Sequence, residues 1–294
     1  MLPSPLKPLR GVRVLSLALN LPGPGALMRL RAMGATCLKI EPPGPGGASG
    51  DPMGQYNPTA YAQMHEGIKL RTLDLKTDKG QAGLHKELAR TDVLIVSFRP
   101  SALRKLGLEW KALHKQYPKL SMVCVLGAPG ERAEEPGHDL TYLADAGLVT
   151  GLDLPATLFA DMGGALMTSE AVLQAVLVQR AKGKGSVQSV ALSDAAAWLA
   201  LPRQWGLTQP HGAVGGAHAG YRVYPCRDGR VAVAALEPHF AARLCEAAGI
   251  AMKGMATMML PATHQAVARF LAGKSRRELD QLASERDIPL HTLA

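Results

Sequence analysis

The stretch DVLIVSF at Asp92–Phe98 indicates the fold most directly. Its aliphatic run is broken two residues later by Pro100, which is typical of a buried β-strand. Three other runs have the same character: GVRVLSL at Gly11–Leu17, TCLKIE at Thr36–Glu41 and LSMVCVL at Leu120–Leu126. We therefore predict a set of buried strands in the first half of the chain.

Helix-like segments alternate with these strands. Ala26–Met33 predicts a helix that ends at Gly34, with a turn at Leu21–Gly25 before it. Further helices are expected at Lys79–Ala89, Ala102–Leu106 and Trp110–Gln116, and a short strand at Lys69–Leu75. This alternation predicts an α/β fold with a Rossmann-like, doubly wound parallel sheet that carries helices on both faces.

Ligands of doubly wound sheets bind outside the carboxyl ends of the strands. Gly44–Pro58 is a long Gly/Pro-rich loop, and such loops inside compact domains are usually functional or mobile. The candidate binding loops are Ala18–Gly25, Pro42–Gly50, Arg99–Arg104 and Gly127–Asp139.

The second half of the chain changes character. It contains a long helix at Leu166–Arg180, a strand at Val187–Leu192 and a helix at Ser193–Trp205 with Ser193 as a possible N-cap. Gln209–Gly220 is rich in Gly and His and is interpreted as a linker. Beyond it we predict a hairpin (Tyr221–Pro225 and Arg230–Leu236), a helix (Pro238–Ala248) and a capping box at Ser275. We expect a large domain at 1–208 and a small α+β domain at 209–294.

The composition excludes several classes of protein. The chain has 294 residues, of which 47% are hydrophobic and 19% charged, so disordered, collagen-like and coiled-coil proteins are excluded. It has no apolar run of about 18 residues, so no transmembrane helix is expected, and its start is a poor signal peptide. Four Cys without a CxxC pair indicate a reducing cytoplasm, and the scattered nine His and four Cys argue against a metal site.

The net charge of +9 is compatible with nucleic acid, a membrane surface, a polyanionic metabolite or solubility alone. Residues 1–150 carry 19 basic and 13 acidic side chains, a net of +6. Aromatic residues are only 4%, and single-stranded nucleic-acid binders usually need stacking aromatics. A phosphate-bearing metabolite bound by the first half therefore fits best.

Two short segments stand out as candidate sites: Gly137-His138-Asp139 with Tyr142, and Ala160-Asp161 with Gly163-Gly164. The sequence lacks GxGxxG after the first strand, GxxxxGK[ST] and GxSxG, which disfavours NAD, P-loop and hydrolase chemistry. Asp161 just before a helix is either an N-cap or an ionised catalytic carboxylate. His138 is either a surface loop residue or a base, and spacing alone does not show that it meets Asp161.

Several blocks, in order, resemble the family III CoA-transferases, which include α-methylacyl-CoA racemases. The resemblance covers nearly the whole chain to about Leu290. The blocks are Pro8–Leu15 with Pro22-Gly23-Pro24, Met33-Gly34-Ala35, Lys39–Gly44, Leu73–Thr77, Asp92-Val93, Ser97–Pro100, Leu106-Gly107-Leu108, Gly137-His138-Asp139, Ala160-Asp161 with Gly163-Gly164, and Lys182–Gly185. The racemase branch is the nearer match, because of His138-Asp139 before Tyr142 and the Glu237-Pro238 that follows the hairpin.

The resemblance implies roles for particular residues. His138 and Asp161 match the two racemase bases, and Glu237 matches a supporting site residue. In the transferase branch the residue matching Asp161 is a nucleophile that forms an acyl-aspartyl anhydride. The residues implied in CoA binding are Leu70, Arg71, Thr72, Leu73, Ser97, Phe98, Arg99, Arg104, Asp139 and Tyr142.

The chemistry implied for a racemase is physically coherent. A thioester acidifies its α-carbon, so an acid–base pair on opposite faces can exchange the proton through an enolate. Backbone N–H groups near Gly163 and Gly164 are expected to stabilise the enolate oxygen. Desolvation raises the pKa of Asp161 and a helix N-terminus lowers it, and the sequence leaves open which effect is larger.

We therefore expect a cytoplasmic 2-methylacyl-CoA racemase or epimerase, with no metal and no cofactor beyond the CoA of its substrate, and with no nucleic-acid or membrane partner. The resemblance also implies an interlocked homodimer in which the small domain completes the partner's site. CoA transfer through Asp161 is the alternative. A third possibility is an acyl-CoA-binding relative without catalysis, because His65–Thr72 lacks the family's usual basic run and the chain stops soon after Pro289. The segment Gly147–Pro155 is shorter than in the family, which is expected to alter the acyl pocket.

Overall fold

The computed structural model describes residues 6–294. By contacts, the chain divides into two compact units, the first ending at Ala200 and the second comprising Leu201–Ala294. The domain boundary drawn from the sequence after residue 208 stays a prediction. Within the described residues, no helix is long and apolar enough to cross a membrane.

A six-stranded, wholly parallel sheet forms the centre of the first unit. Its spatial order is β3-β2-β1-β4-β5-β6, so the chain direction across the sheet reverses beside β1. The expected α/β fold with a doubly wound parallel sheet is therefore confirmed. The strands are β1 (Arg13–Ser16), β2 (Thr36–Glu41), β3 (Lys69–Thr72), β4 (Val93–Val96), β5 (Ser121–Leu126) and β6 (Val187–Ala191).

Helices cover both faces of this sheet because successive strand side chains point to opposite sides. One core joins Val14 and Ile95 of the sheet to Leu27 and Val172 on two covering helices. The other joins neighbouring strand residues to helices on the opposite face. The helices that begin within the first unit are α1 (Pro22–Ala32), α2 (Pro52–Tyr56), α3 (Pro58–Met64), α4 (Asp78–Leu88), α5 (Pro100–Lys105), α6 (Trp110–Gln116), α7 (Asp139–Asp145), α8 (Phe159–Lys182) and α9 (Leu192–Gln204).

The predicted turn at Leu21–Gly25 is wrong, because α1 begins at Pro22. Proline is tolerated in the first helical turn, where its missing N–H has no partner to lose. The helix also starts close to the preceding strand: a Cβ on Gly23 would lie 2.3 Å from the Ala18 Cβ. The Gly and Pro residues of this stretch therefore form the first turn of α1 and do not form a separate turn before it.

The predicted loop at Gly44–Pro58 is also corrected, because it contains α2 and the start of α3. Asp51 accepts the Met53 N–H at 3.0 Å, and Asn57 accepts the Ala60 N–H at 3.0 Å. Each cap precedes a proline at the first helical position. Asp-Pro and Asn-Pro are start signals that the sequence carried.

Two later helix boundaries also differ from prediction. The long helix α8 starts at Phe159, seven residues before the expected Leu166. Ser193 is not an N-cap, because α9 begins at Leu192 and the buried Ser193 hydroxyl has no hydrogen-bond partner within the described residues. At α8 the low helix propensity of Gly163 and Gly164 hid the true start of the helix.

The second unit contains a small antiparallel sheet of β7 (Tyr221–Cys226), β8 (Gly229–Ala234) and β9 (Leu290–Leu293). The predicted hairpin and the Ser275–Glu278 capping box are confirmed. The sequence did not reveal β9, which is only four residues long. The helices of this unit are α10 (Pro238–Ala247), α11 (Pro261–Ala272) and α12 (Arg276–Arg286).

A buried ionic network joins β2 to the segment that follows it. The ammonium of Lys39, fully excluded from solvent, contacts Glu41 Oε1 at 2.8 Å, a carboxylate oxygen of Asp51, and His65 Nε2 at 3.0 Å. The three N–H bonds of the ammonium thus have three partners. His65 is fixed as an acceptor at Nε2 because its Nδ1 lies 2.7 Å from the Tyr61 carbonyl oxygen.

The pKa values of two of the three partners of Lys39, His65 and Glu41, are shifted in the directions that this arrangement requires. Burial, followed by the charge of Lys39, lowers the pKa of His65, so the ring stays neutral. Burial alone would raise the pKa of Glu41. Hydrogen bonds from Lys39, Ser49 and Tyr61 instead hold that pKa below its usual value, which keeps the carboxylate ionised.

We expect Lys39→Met to lower the free energy of unfolding by about 3–5 kcal/mol near neutral pH, because it leaves two buried carboxylates without their cation. Urea unfolding followed by circular dichroism measures this change. Lys76→Met, at an exposed lysine, is the control and should change stability by less than about 0.5 kcal/mol. A loss below about 1 kcal/mol for Lys39→Met would contradict the structural importance of the network.

Candidate active site at the carboxyl edge of the sheet

A pocket of about 180 Å³ opens at the carboxyl edge of the parallel sheet, within the first unit. It lies where ligands of doubly wound sheets bind, beside the strand at which the sheet order reverses. The residues that follow β1, β4 and β5 contribute to its wall, as do residues near the starts of α7 and α8. They include Leu19, Asn20, Pro22, Ser97, Phe98, Arg99, Gly127, Glu135, Gly137, His138, Tyr142, Asp161 and Leu192.

Asp161 lies in the first turn of α8 and faces this pocket. Its own backbone N–H donates to Asp139 Oδ1 at 2.9 Å, and Asp139 is almost wholly buried. Asp139 therefore binds one of the free N–H groups that every helix start exposes. It also places a second negative charge beside the Asp161 carboxylate.

Burial raises the pKa of the Asp161 carboxyl to about 6, and the charge of Asp139 adds to this rise. The charge of His138 opposes it in part. The competition that the sequence left open is thus decided by desolvation rather than by the helix N-terminus. A carboxyl group with this pKa is poised to give and take protons near neutral pH.

His138 immediately precedes α7 and lines the same pocket as Asp161. Its backbone is fixed by Thr141, whose Oγ1 accepts the His138 N–H at 3.1 Å and donates to the His138 carbonyl at 2.8 Å. The imidazole itself is exposed to the pocket. The two candidate bases, 23 residues apart in sequence, are therefore brought together by the fold.

Tyr142 is buried against two glycines in the pocket wall. A Cβ on Gly127 would lie 2.4 Å from the Tyr142 hydroxyl oxygen, and one on Gly137 would lie 2.6 Å from it. Both positions must be glycine for the ring to occupy this place. Burial, followed by the charge of Asp161, raises the pKa of Tyr142, so its hydroxyl keeps its proton as a hydrogen-bond donor.

The residues implied in CoA binding fall into several places. Ser97, Phe98 and Arg99 line the Asp161 pocket, whereas Arg104 lines a separate hollow of about 420 Å³ with Trp110 and Lys111. Leu70, Arg71 and Thr72 lie on β3, the edge strand, with Leu73 directly after it, and none of these four lines the pocket. Their roles in CoA binding stay predictions.

Arg71 is already paired within the protein. Its guanidinium donates to Glu87 Oε1 at 2.9 Å, and Glu87 also binds Arg90. A phosphate group would have to compete with this carboxylate for Arg71. Glu237 belongs to the second unit, where it is the exposed N-cap residue of α10, and its supporting role likewise stays a prediction.

Gly163 and Gly164 themselves have no free N–H group for an enolate oxygen, and a donor elsewhere at this helix start stays a prediction. Because α8 begins at Phe159, their N–H groups point back along the helix to carbonyl groups one turn earlier. These glycines instead allow α9 to approach α8 closely. A Cβ on Gly164 would lie 2.2 Å from Leu192 Cδ2, and one on Gly163 would lie 3.3 Å from the Ala195 Cβ.

The candidate loop Ala18–Gly25 contributes Leu19, Asn20 and Pro22 to the pocket, although the sequence singled out none of these residues, and it gave no indication of Leu192. Asn20 adopts a left-handed backbone conformation, with φ of +62°. An asparagine in the loop that follows a buried strand is a signal for such a conformation. The apolar members carry no comparable signal.

The described residues contain no cluster of His, Cys, Asp and Glu side chains that could hold a metal ion.

Residues 9–294 match the CoA-transferase family III, and the chain belongs to this family.

Relatives in the family include both racemases and transferases. The chain is 29% identical over 301 residues to a mouse α-methylacyl-CoA racemase, covering 95% of the chain and 76% of the relative. It is 31% identical over 211 residues to a probable fatty acyl-CoA transferase (Rv3272) of Mycobacterium tuberculosis, covering 67% of the chain and 53% of the relative. The chain thus spans between about half and three quarters of these relatives' lengths.

The fold is also found in a solved structure. A hypothetical protein (Rv3272) from Mycobacterium tuberculosis superposes with a TM-score of 0.83 at 26% identity, covering 99% of this chain and 85% of that one. Its agreement extends over both units of the chain.

We expect Asp161→Asn to raise the free energy of unfolding by about 1–2 kcal/mol near neutral pH, a value discounted for solvent screening. The native pKa, about 6, lies above the ordinary value of 3.8, so the charged carboxylate costs stability at high pH. This cost disappears as the pH falls through that window, and the gain should vanish near pH 3.8.

Urea unfolding over this pH range measures the difference between the variant and the parent. Asp153→Asn, at an exposed aspartate, is the matched control and should leave stability unchanged at each pH. A gain for Asp161→Asn that is the same at every pH would contradict the raised pKa.

Proposed function

We propose that this protein is an acyl-CoA enzyme that racemises or epimerises 2-methylacyl-CoA thioesters. The observation that carries the proposal is that His138 and Asp161, two groups able to exchange protons, line one pocket at the carboxyl edge of the sheet. A one-base or nucleophilic mechanism through Asp161 does not need the histidine. The raised pKa of Asp161 supports the same conclusion.

In the proposed reaction one group removes the α-proton and the other returns a proton to the opposite face. When Asp161 is the base, its carboxylate takes the proton, and the electron pair of the C–H bond forms the enolate, whose oxygen becomes negative. His138 then donates a proton to the α-carbon, and the carbonyl re-forms. In the reverse direction the two groups exchange roles.

The CoA portion of the substrate is proposed to approach past Ser97, Phe98 and Arg99. Arginine is suited to phosphate because its planar group makes two parallel hydrogen bonds. The net +6 of residues 1–150 supports a polyanionic ligand in this half of the chain. No cofactor beyond the CoA of the substrate is proposed.

CoA transfer between carboxylic acids is the second candidate. Asp161 would attack the thioester carbonyl, the C–S bond would break, and an acyl-aspartyl anhydride and CoA thiolate would form. The similarity to a probable fatty acyl-CoA transferase over 67% of the chain favours this alternative. Acyl-CoA binding without catalysis is the third.

Incubation with 2-methylacyl-CoA in deuterated water, with and without an acceptor acid, tests these functions. We expect deuterium at the α-carbon without acceptor, and Asp161→Asn and His138→Gln should each slow its uptake by about 10²–10⁴-fold. His291→Gln, at an exposed histidine of the second unit, is the control. Uptake that depends on the Asp161 carboxylate should also fall as the pH drops through about 6.

The alternatives give different results in the same assay. Acceptor-dependent CoA exchange that Asp161→Asn abolishes and His138→Gln leaves intact would establish transfer instead of racemisation. Binding of acyl-CoA with neither exchange nor deuterium uptake would establish the non-catalytic alternative.

We also propose that the protein acts in the cytoplasm as an interlocked homodimer, as the family resemblance implies. Exposed apolar side chains on two long helices support a protein partner: Leu166 and Leu177 on α8, and Trp198 and Leu199 on α9. Soluble monomers rarely expose apolar patches of this kind.

We expect light scattering coupled to size exclusion to give a mass of twice 31.1 kDa. The double variant Leu177→Lys, Trp198→Lys should lower this mass or prevent assembly, because it would bury unpaired charges. Gln116→Lys, on the exposed surface of α6, should leave the mass unchanged. A parent protein that is monomeric at every concentration would contradict the proposed dimer.

A further inference from the structure

The proposed function requires a hydrogen-bond donor for the thioester oxygen, and the inference below rests on that function. Negative charge grows on this oxygen when the α-proton leaves, and equally when a nucleophile attacks the carbonyl. The N–H groups of Gly163 and Gly164 lie within the helical ladder of α8. The donor must therefore come from elsewhere in the Asp161 pocket.

Asn20 reaches this pocket from the start of α1, as Asp161 does from the start of α8. Helices α1 and α8 pack along each other, and a Cβ on Gly25 would lie 3.1 Å from the Ala165 Cβ. Asn20 precedes Gly25 by five residues, and Asp161 precedes Ala165 by four. The two side chains therefore occupy the same end of this helix pair, and both line the pocket.

The backbone of Asn20 is held in an uncommon conformation. Its φ of +62° lies in the left-handed region, which asparagine adopts more readily than most residues other than glycine. The Asn20 N–H donates to Asp51 Oδ1 at 3.1 Å. Asp51 is fully buried and its other oxygen binds Lys39, so the ionic network beside β2 fixes this loop.

The side-chain amide of Asn20 is half-buried at the pocket and has no hydrogen-bond partner among the residues that the structure describes. An amide group carries two N–H donors and stays neutral at every physiological pH. The wall has two other uncharged side-chain donors: Ser97, whose Oγ already accepts the Leu19 N–H at 3.3 Å, and Tyr142, whose hydroxyl is packed against the backbones of Gly127 and Gly137.

We infer that the side-chain NH2 of Asn20 donates a hydrogen bond to the thioester carbonyl oxygen. This hydrogen bond becomes stronger as the oxygen becomes negative. Asn20 is thereby a catalytic residue, and Asp51 and Lys39 are positioning residues that act through it. The assignment holds for proton exchange and for CoA transfer, because both reactions place charge on the same atom.

The decisive variants are Asn20→Gly and Asn20→Asp. Glycine adopts positive φ without strain, so Asn20→Gly removes the amide and keeps the backbone. Asn20→Asp keeps the shape and replaces the donor by an acceptor. Asp287, the other residue besides glycine with positive φ within residues 6–294, provides the matched control Asp287→Gly in the second unit.

We expect each Asn20 variant to lower kcat by about 10²–10³-fold, with KM changed by less than about threefold, in whichever reaction the parent protein catalyses. Asp51→Asn should give a smaller loss of kcat, because it loosens the loop without removing the amide. A variant with kcat within about threefold of the parent, or with KM raised and kcat unchanged, would overturn the assignment.

A binding experiment keeps the inference testable if the parent protein catalyses neither reaction. The probe is a CoA thioether that carries a nitronate, an anionic group that mimics an enolate, and CoA itself is the reference ligand. Asn20→Gly should weaken nitronate binding by about 100-fold and CoA binding by less than about threefold. Equal loss for the two ligands, or no loss, would overturn the role of Asn20.

These two readouts separate the possible failures. A parent protein without turnover that still shows the nitronate difference would refute the proposed activity and retain Asn20 as an oxyanion donor. Normal turnover by the parent protein without the difference in nitronate binding would retain the proposed activity and refute Asn20 as an oxyanion donor.

Discussion

The buried ammonium of Lys39 is the constraint on which the geometry of the pocket depends. It neutralises Glu41 and Asp51 where water is excluded, and it fixes His65 as an acceptor. A buried ion pair is a poor source of stability compared with apolar packing, but it tolerates few alternative arrangements. Here it joins the end of β2 to the loop after β1, because Asp51 also binds the Asn20 N–H.

Asp139 is the second buried carboxylate that shapes the pocket, and it acts at the start of α8. Its carboxylate holds the Asp161 N–H and, by its charge, helps to raise the pKa of the Asp161 carboxyl to about 6. One buried side chain thus orients the helix and tunes the acid. Burial remains the larger cause of the shift, which means that the packing around the helix start sets the protonation behaviour of the site.

The sequence predicted the fold more completely than the site. Strands such as Val93–Val96 are aliphatic throughout, so their burial is visible without knowing their neighbours. Helix starts are harder to predict: the sequence indicates a turn where α1 begins at Pro22, and it predicts the start of α8 seven residues too late. In these stretches local propensity is weak, and packing against Ala18 or Leu192 decides where the helix begins.

The sequence by itself determined the parallel α/β sheet, the family resemblance and the pair His138 and Asp161, because aliphatic runs and ordered motifs are local properties of the chain. Only the tertiary structure decided that these two groups share a pocket, that desolvation prevails at Asp161, and that Gly163 and Gly164 serve helix packing. It alone also placed Asn20 beside them. Distance and dielectric environment depend on segments far apart in sequence, and no spacing along the chain encodes them.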